Sequence, residues 1–177
     1  SCDPTKIKTG GALLGDRIRM NSIYDDRVYM RSLATRGSAQ EVSQAITHAL
    51  QLLQHLDAFD LIILETAGTG QGDSAIVKLA DVSVYVMTPE YGASSQLEKI
   101  DMLDFADIVV LNKFDRMGAE DALEDVVHAY ANARNERVTK KNRPSFPVFG
   151  TIASNFNDPG VTTLFVHLAK QLQKIGL

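Results

Sequence analysis

Five short β-favouring runs alternate with stretches of helical periodicity along this 177-residue chain, and several of the runs are apolar at successive rather than alternate positions. Unbroken apolar character belongs to strands covered on both faces, so the pattern predicts an α/β fold whose mostly parallel sheet lies between helices in three layers. The predicted strands are Val28 to Arg31, Leu61 to Glu65, Val82 to Met87, Ile108 to Asn112 and Pro147 to Thr151. Ser38-Ala39-Gln40-Glu41 reads as a capping box that opens a helix with Val42, Ile46, Ala49, Leu50, Leu53 and Leu56 on its buried stripe. Further helices are predicted from about Ser95 to Leu103, from Ala119 to Asn135 with Leu123, Val126, Val127 and Tyr130 inward, and from about Thr162 to Lys174. The polar, basic stretch Asn132 to Pro144 reads as a surface excursion.

With 45% hydrophobic residues and no repeat, low-complexity tract or linker, the chain suits one globular domain with a full core. A formal net charge of −4 gives no general attraction to nucleic acid or to an anionic membrane, although Arg134 to Arg143 is locally basic. Cys2 is the single cysteine, which removes any internal disulfide framework and fits a reducing cytoplasm. No apolar stretch is long enough to span a bilayer, and Ser-Cys-Asp-Pro-Thr-Lys is not a signal peptide.

Asn112-Lys113-Phe114-Asp115 follows the run Ile108-Val109-Val110-Leu111 directly. An N-K-x-D at a strand end has the chemistry of a guanine reader. Its Asp carboxylate accepts from the ring N–H and the exocyclic amine together, a pair that adenine does not offer, while Asn and Lys shape and cover the base. A solvated turn is the plain alternative for such a tetrapeptide. The strand before it and the helical pattern after it favour the guanine reading.

Glu65-Thr66-Ala67-Gly68-Thr69-Gly70-Gln71 has the chemistry of a γ-phosphate sensor. The strand-end carboxylate can hold Mg²⁺, and Gly68 lets a backbone N–H approach a terminal phosphate with no Cβ in the way. A glycine-rich βα turn is the other reading of this loop, and its pairing with N-K-x-D favours the phosphate one. Asp3 and Asp16, with Glu65, make an oxygen-donor set suited to Mg²⁺, while Arg17 and Arg19 can offset phosphate charge. Taken singly, each Asp is also an ordinary turn or cap residue. Ala153 and Ser154 follow the last predicted strand, where a backbone N–H can meet the guanine oxygen, or can simply be strand exit ahead of the Asn155 to Gly160 turn. The four histidines have no metal-ligand spacing, and no catalytic nucleophile arrangement stands out.

A phosphate-cradling P-loop requires G-x-x-x-x-G-K-[ST], and no Gly-Lys pair occurs in the sequence. The segments Asp3-Pro-Thr, Gly10-Gly-Ala-Leu-Leu-Gly-Asp-Arg-Ile-Arg-Met20, Glu65 to Gln71 and Asn112 to Asp115 resemble the G-protein chaperones of cobalamin-dependent acyl-CoA mutases, nearly end to end. Arg31-Ser-Leu-Ala-Thr-Arg36, Pro89 to Asp107 and Asn112 to Arg116 are more similar to the version fused within isobutyryl-CoA mutase.

The resemblance implies a P-loop G-protein-like three-layer fold, of which this chain is expected to be the C-terminal portion, without the P-loop strand and helix. It implies that Asp3, Asp16 and Glu65 are the Mg²⁺-shell carboxylates, that Asn112, Lys113 and Asp115 read guanine, and that Gly68, Ala153 and Ser154 line the nucleotide. GTP or GDP and Mg²⁺ are the implied ligands. Hydrolysis would gate loading of adenosylcobalamin into the mutase, fused or separate, and ejection of damaged cofactor, in a cytoplasmic homodimer. Thr69 stands where small GTPases carry a water-orienting Gln, and Gln71 lies two residues further on, so turnover is expected to be slow unless the mutase completes the site. The competing expectations are a non-catalytic interaction module derived from a G-domain and an unrelated α/β nucleotide-binding enzyme such as a kinase.

Overall fold

The computed structural model describes residues 2–3, 21–34, 44–66, 74–91 and 102–176. Two compact units divide the chain, Ser1–Ala80 and Asp81–Leu177.

In the first unit, β1 (Cys2–Asp3) pairs in parallel with β2 (Leu33–Ala34), Cys2 opposite Leu33. The expected strand at Val28 to Arg31 is not formed: those residues are irregular, and the pairing falls two residues further on. Leu61 to Glu65 also lacks a ladder, with a single bridge at Thr66. An apolar β-branched run supplies propensity, but a strand exists only where a neighbour takes its backbone N–H and C=O groups. Ile63 is accordingly 79% exposed.

Helix α1 (Gln44–Leu56) buries Ile46 and half-buries Ala49, Leu50 and Leu53, as the stripe predicts. Leu56 departs from it and is mostly exposed. It ends the helix just before Asp57, whose left-handed backbone (φ 46) turns the chain away. The capping box at Ser38 to Glu41 and Val42 lie outside the described residues, as does most of the helix expected from Ser95. A short α2 (Ser74–Val77) closes the unit's described part.

The second unit carries the expected core. Strands β3 (Val84–Met87), β4 (Ile108–Asn112) and β5 (Val148–Thr151) form a parallel sheet in the order β3-β4-β5. Every residue from Ile108 to Leu111 is buried, which is the physical meaning of that unbroken apolar run in a central strand. Successive side chains alternate across the sheet. One face presents Met87, Val109, Leu111 and Val148 to Leu103 of α3 (Met102–Phe105) and to Ala122, Val126, Val127 and Tyr130 of α4 (Ala119–Ala133). On the opposite face, Phe149 meets His167 of α5 (Pro159–Lys174), ring centroids 5.1 Å apart.

Polar pins hold the N-terminal ends of the strands. Asp107 accepts from the Ser83 N–H and hydroxyl at 2.8 and 2.7 Å. Arg134, stacked 3.5 Å from the Tyr130 ring centroid, donates to the carbonyls of Leu103 and Ala106 at 3.0 and 2.7 Å, satisfying acceptors left open where α3 ends.

Candidate functional site

Parallel α/β sheets place their ligand crevices beyond the carboxyl ends of the strands. Asn112 is the last residue of β4 and Thr151 the last of β5, and the two lie opposite each other in register. Their loops are joined at this point. The Asn112 side-chain oxygen accepts from the Thr151 hydroxyl at 3.2 Å and from the Ala153 N–H at 3.1 Å, while the Phe114 N–H donates to the Thr151 carbonyl at 3.0 Å. Thr151 is buried, so its hydroxyl depends on this bond for a partner.

Lys113 then takes a left-handed backbone conformation (φ 60). For a residue with a Cβ this costs about 1–2 kcal/mol, and such strain gathers at functional positions. A tight turn follows: the Arg116 N–H donates to the Lys113 carbonyl at 3.1 Å and Ala119 to Arg116 at 3.2 Å. Gly118 (φ 80) supplies the left-handed residue that admits α4, whose first turn carries Glu120 and Asp121, the sign that a helix N-terminus favours.

The side chains of Lys113 and Asp115 are exposed, and neither makes a hydrogen bond or ion pair among the described residues. Phe114, between them, turns inward to the core, with its ring against Gly150: a Cβ there would lie 2.7 Å from the ring. Arg116 is ion-paired with Glu90, fastening the loop to the turn after β3.

Gly160, in the first turn of α5, lies so near the Gly150 carbonyl that a Cβ would overlap that oxygen. Asp158 caps the helix, its Oδ2 accepting from the Val161 N–H at 2.8 Å and from the Ile152 N–H at 3.1 Å. Helix α5 therefore begins at Pro159, three residues before the expected Thr162, because Asp158 is an N-cap with Pro in the following N1 position.

The structure thus brings together Asn112, Lys113, Asp115, Ala153 and Ser154, all proposed from sequence. The Ala153 N–H is engaged by Asn112, whereas the Ser154 N–H has no partner among the described residues. Sequence reasoning did not single out Thr151, Asp158, the Phe114–Gly150 contact or the Arg116–Glu90 pair. Only Asp158 carried a readable signal, the Asp-Pro-Gly of a helix start. Thr151 and the Phe114–Gly150 contact depend on the β4–β5 register, and the Arg116–Glu90 pair on the pairing of β3 with β4.

The proposed phosphate and metal residues belong to the first unit. Glu65 is exposed, ending the extended run before Thr66. Asp3 lies in β1, its side chain outside the described residues, as are Asp16 and Gly68 altogether. Among the described residues, no group of three or more His, Cys, Asp or Glu is placed to hold a metal ion.

The family model of the methylmalonyl Co-A mutase-associated GTPase MeaB matches residues 1–175. A fused isobutyryl-CoA mutase of Geobacillus kaustophilus is 58% identical over 174 residues, 98% of this chain and 16% of that protein. One from Paraburkholderia xenovorans is 58% identical over 179 residues, 99% of this chain and 14% of its own length. A Pyrococcus horikoshii protein named as a GTPase is 48% identical over 121 residues, 67% of this chain and 37% of that protein. The chain therefore spans about one sixth of the length of the fused mutases that it matches.

Proposed function

The chain belongs to the family of methylmalonyl Co-A mutase-associated GTPases, and on that premise we propose that it is part of a P-loop G-domain that binds and hydrolyses GTP to gate adenosylcobalamin loading and repair in an acyl-CoA mutase. The fused relatives support an isobutyryl-CoA mutase carried on the same polypeptide. The junction at Asn112 carries the reading. One side-chain oxygen, bonded to the Thr151 hydroxyl and the Ala153 N–H, sets the N-K-x-D loop beside the Ala153-Ser154 loop.

In this arrangement Asp115, exposed and without a partner among the described residues, accepts from the guanine ring N–H and exocyclic amine. Lys113 covers the base, Asn112 holds the two loops at fixed separation, and the Ala153-Ser154 backbone faces the 6-oxo group. The donor chemistry fits guanine because an adenine would leave the Asp115 carboxylate facing no donor pair. Gly68 is assigned to the terminal phosphate and Asp3, Asp16 and Glu65 to Mg²⁺, on the strength of the motif residues and their oxygen donors. When bound, Mg²⁺ would neutralise phosphate charge. The assembly is proposed to act in the cytoplasm as a homodimer. No helix among the described residues is long and apolar enough to cross a membrane.

The test uses Asp115→Asn in the intact protein. An amide at this position offers a donor to the 2-oxo group of xanthine and repels the guanine amine. Uptake of adenosylcobalamin, followed by its absorbance, is expected to answer to GTP in the wild type and to XTP in the variant. Cofactor uptake indifferent to nucleotide in both proteins contradicts the reading.

A further inference from the structure

We infer that Asp158 is the positioning residue that holds the Ile152-Ala153-Ser154 backbone against the base, and so sets recognition of the purine 6-oxo group. The inference rests on the guanine reading above and concerns a residue outside the N-K-x-D loop.

Three successive residues leave β5 with their polar groups committed. The Thr151 hydroxyl goes to Asn112, the Ile152 N–H to Asp158 and the Ala153 N–H again to Asn112. Asn112 thus grips the exit from one side and Asp158 from the other. Asp158 is buried, and the same Oδ2 that accepts from Ile152 caps α5 through the Val161 N–H. A buried carboxylate that bonds across six residues ties the strand exit to the helix start, and the intervening loop has to close between those two points. Asn155 donates to the Ile152 carbonyl at 2.9 Å and Asn157 takes a left-handed backbone (φ 59) to complete that closure. The near contact of Gly160 with the Gly150 carbonyl removes slack on the helix side. The Ser154 N–H, with no partner among the described residues, is left at the end of this braced segment.

Capping and bracing are separable. Serine is as good an N-cap as aspartate, but its side chain is shorter by one atom and cannot span to both N–H groups. Asp158→Ser should therefore keep α5 and release Ile152. In the intact protein, affinities would be measured for GDP, for IDP, which keeps the 6-oxo group, and for the 2-aminopurine ribonucleoside diphosphate, which lacks it. The expected result is a loss of roughly tenfold for GDP and IDP, the equivalent of one neutral hydrogen bond, with the 2-aminopurine nucleotide unchanged. Without nucleotide, amide exchange at Ile152 and Ala153 should accelerate while that of the α5 interior is unchanged.

Equal weakening of all three nucleotides, or of none, overturns the inference. If Asp158→Ser does not fold, Asp158→Asn, which keeps one acceptor oxygen, must show the same ordering in milder form, and uniform weakening there overturns it equally. Wild-type protein that binds GDP and ADP alike removes the guanine reading and this inference with it. That failure is distinguishable, because it shows in the wild type before any variant is made.

Discussion

At the scale of single residues, Asn112 matters for what its oxygen holds as much as for what it would present to a base. Replacing it with Ala strands the buried Thr151 hydroxyl and frees the Ala153 N–H, at a cost of about 1–3 kcal/mol. Asn112→Ala should lower the urea midpoint by that free energy divided by the m-value, with the m-value itself unchanged. Far from the site, the Arg143 hydrogen bond holds the Glu124 carboxyl below its ordinary value of 4.5. A depressed carboxylate contributes stability above its unfolded pKa, and that contribution disappears as pH falls through the lower folded value. Glu124 is half exposed, so solvent screening keeps the effect to about 0.5 kcal/mol or less. Glu124→Gln should accordingly be slightly destabilised relative to wild type at pH 7 and indistinguishable from it well below pH 4.5 in chemical unfolding titrations.

Elements meet at two glycines, and each gives a distinct expectation. Gly160→Ala drives a Cβ onto the Gly150 carbonyl oxygen, a backbone atom that no rotamer change can move. A loss of about 2 kcal/mol or more is expected, seen as a lowered thermal midpoint with or without nucleotide. Gly150→Ala instead meets the Phe114 ring, which can shift and carry Lys113 and Asp115 with it. Guanine affinity should fall by a larger factor than stability in that variant, as measured by paired calorimetric titration and thermal unfolding.

What the sequence disclosed at this scale follows from the same physics. Ile108 to Leu111 was readable as a central strand because burial on both faces demands apolar side chains at every position, and α4 because its stripe faces that strand. Leu61 to Glu65 has equal propensity but no ladder, and pairing partners are not written into a run itself. Asp158 looked like one of several turn residues until its two N–H partners were in place. The meeting of Asn112 with Ala153, 41 positions apart in sequence, depends on a strand register that no local pattern encodes.

For the molecule as a whole, the proposed nucleotide binding would be linked to folding. A ligand at one hundred times its dissociation constant adds about 2.7 kcal/mol to stability if it binds only the folded state. Scanning fluorimetry of the intact protein should therefore show a rise of several degrees in the transition containing this domain with GDP, and no comparable rise with ADP. In the fused isobutyryl-CoA mutase of Geobacillus kaustophilus the segment similar to this chain makes up 16% of the protein.

The most direct measurement is the dissociation constant of GDP and of XDP for wild-type protein and Asp115→Asn. Xanthine keeps the ring N–H and replaces only the amine with an oxygen, so one charge-assisted bond of about 1.5–3 kcal/mol separates the two, and wild type should favour GDP by roughly 10- to 100-fold while the variant reverses the preference. Equal affinity for the two nucleotides in wild type, or a variant that still prefers GDP, would contradict guanine recognition at Asp115.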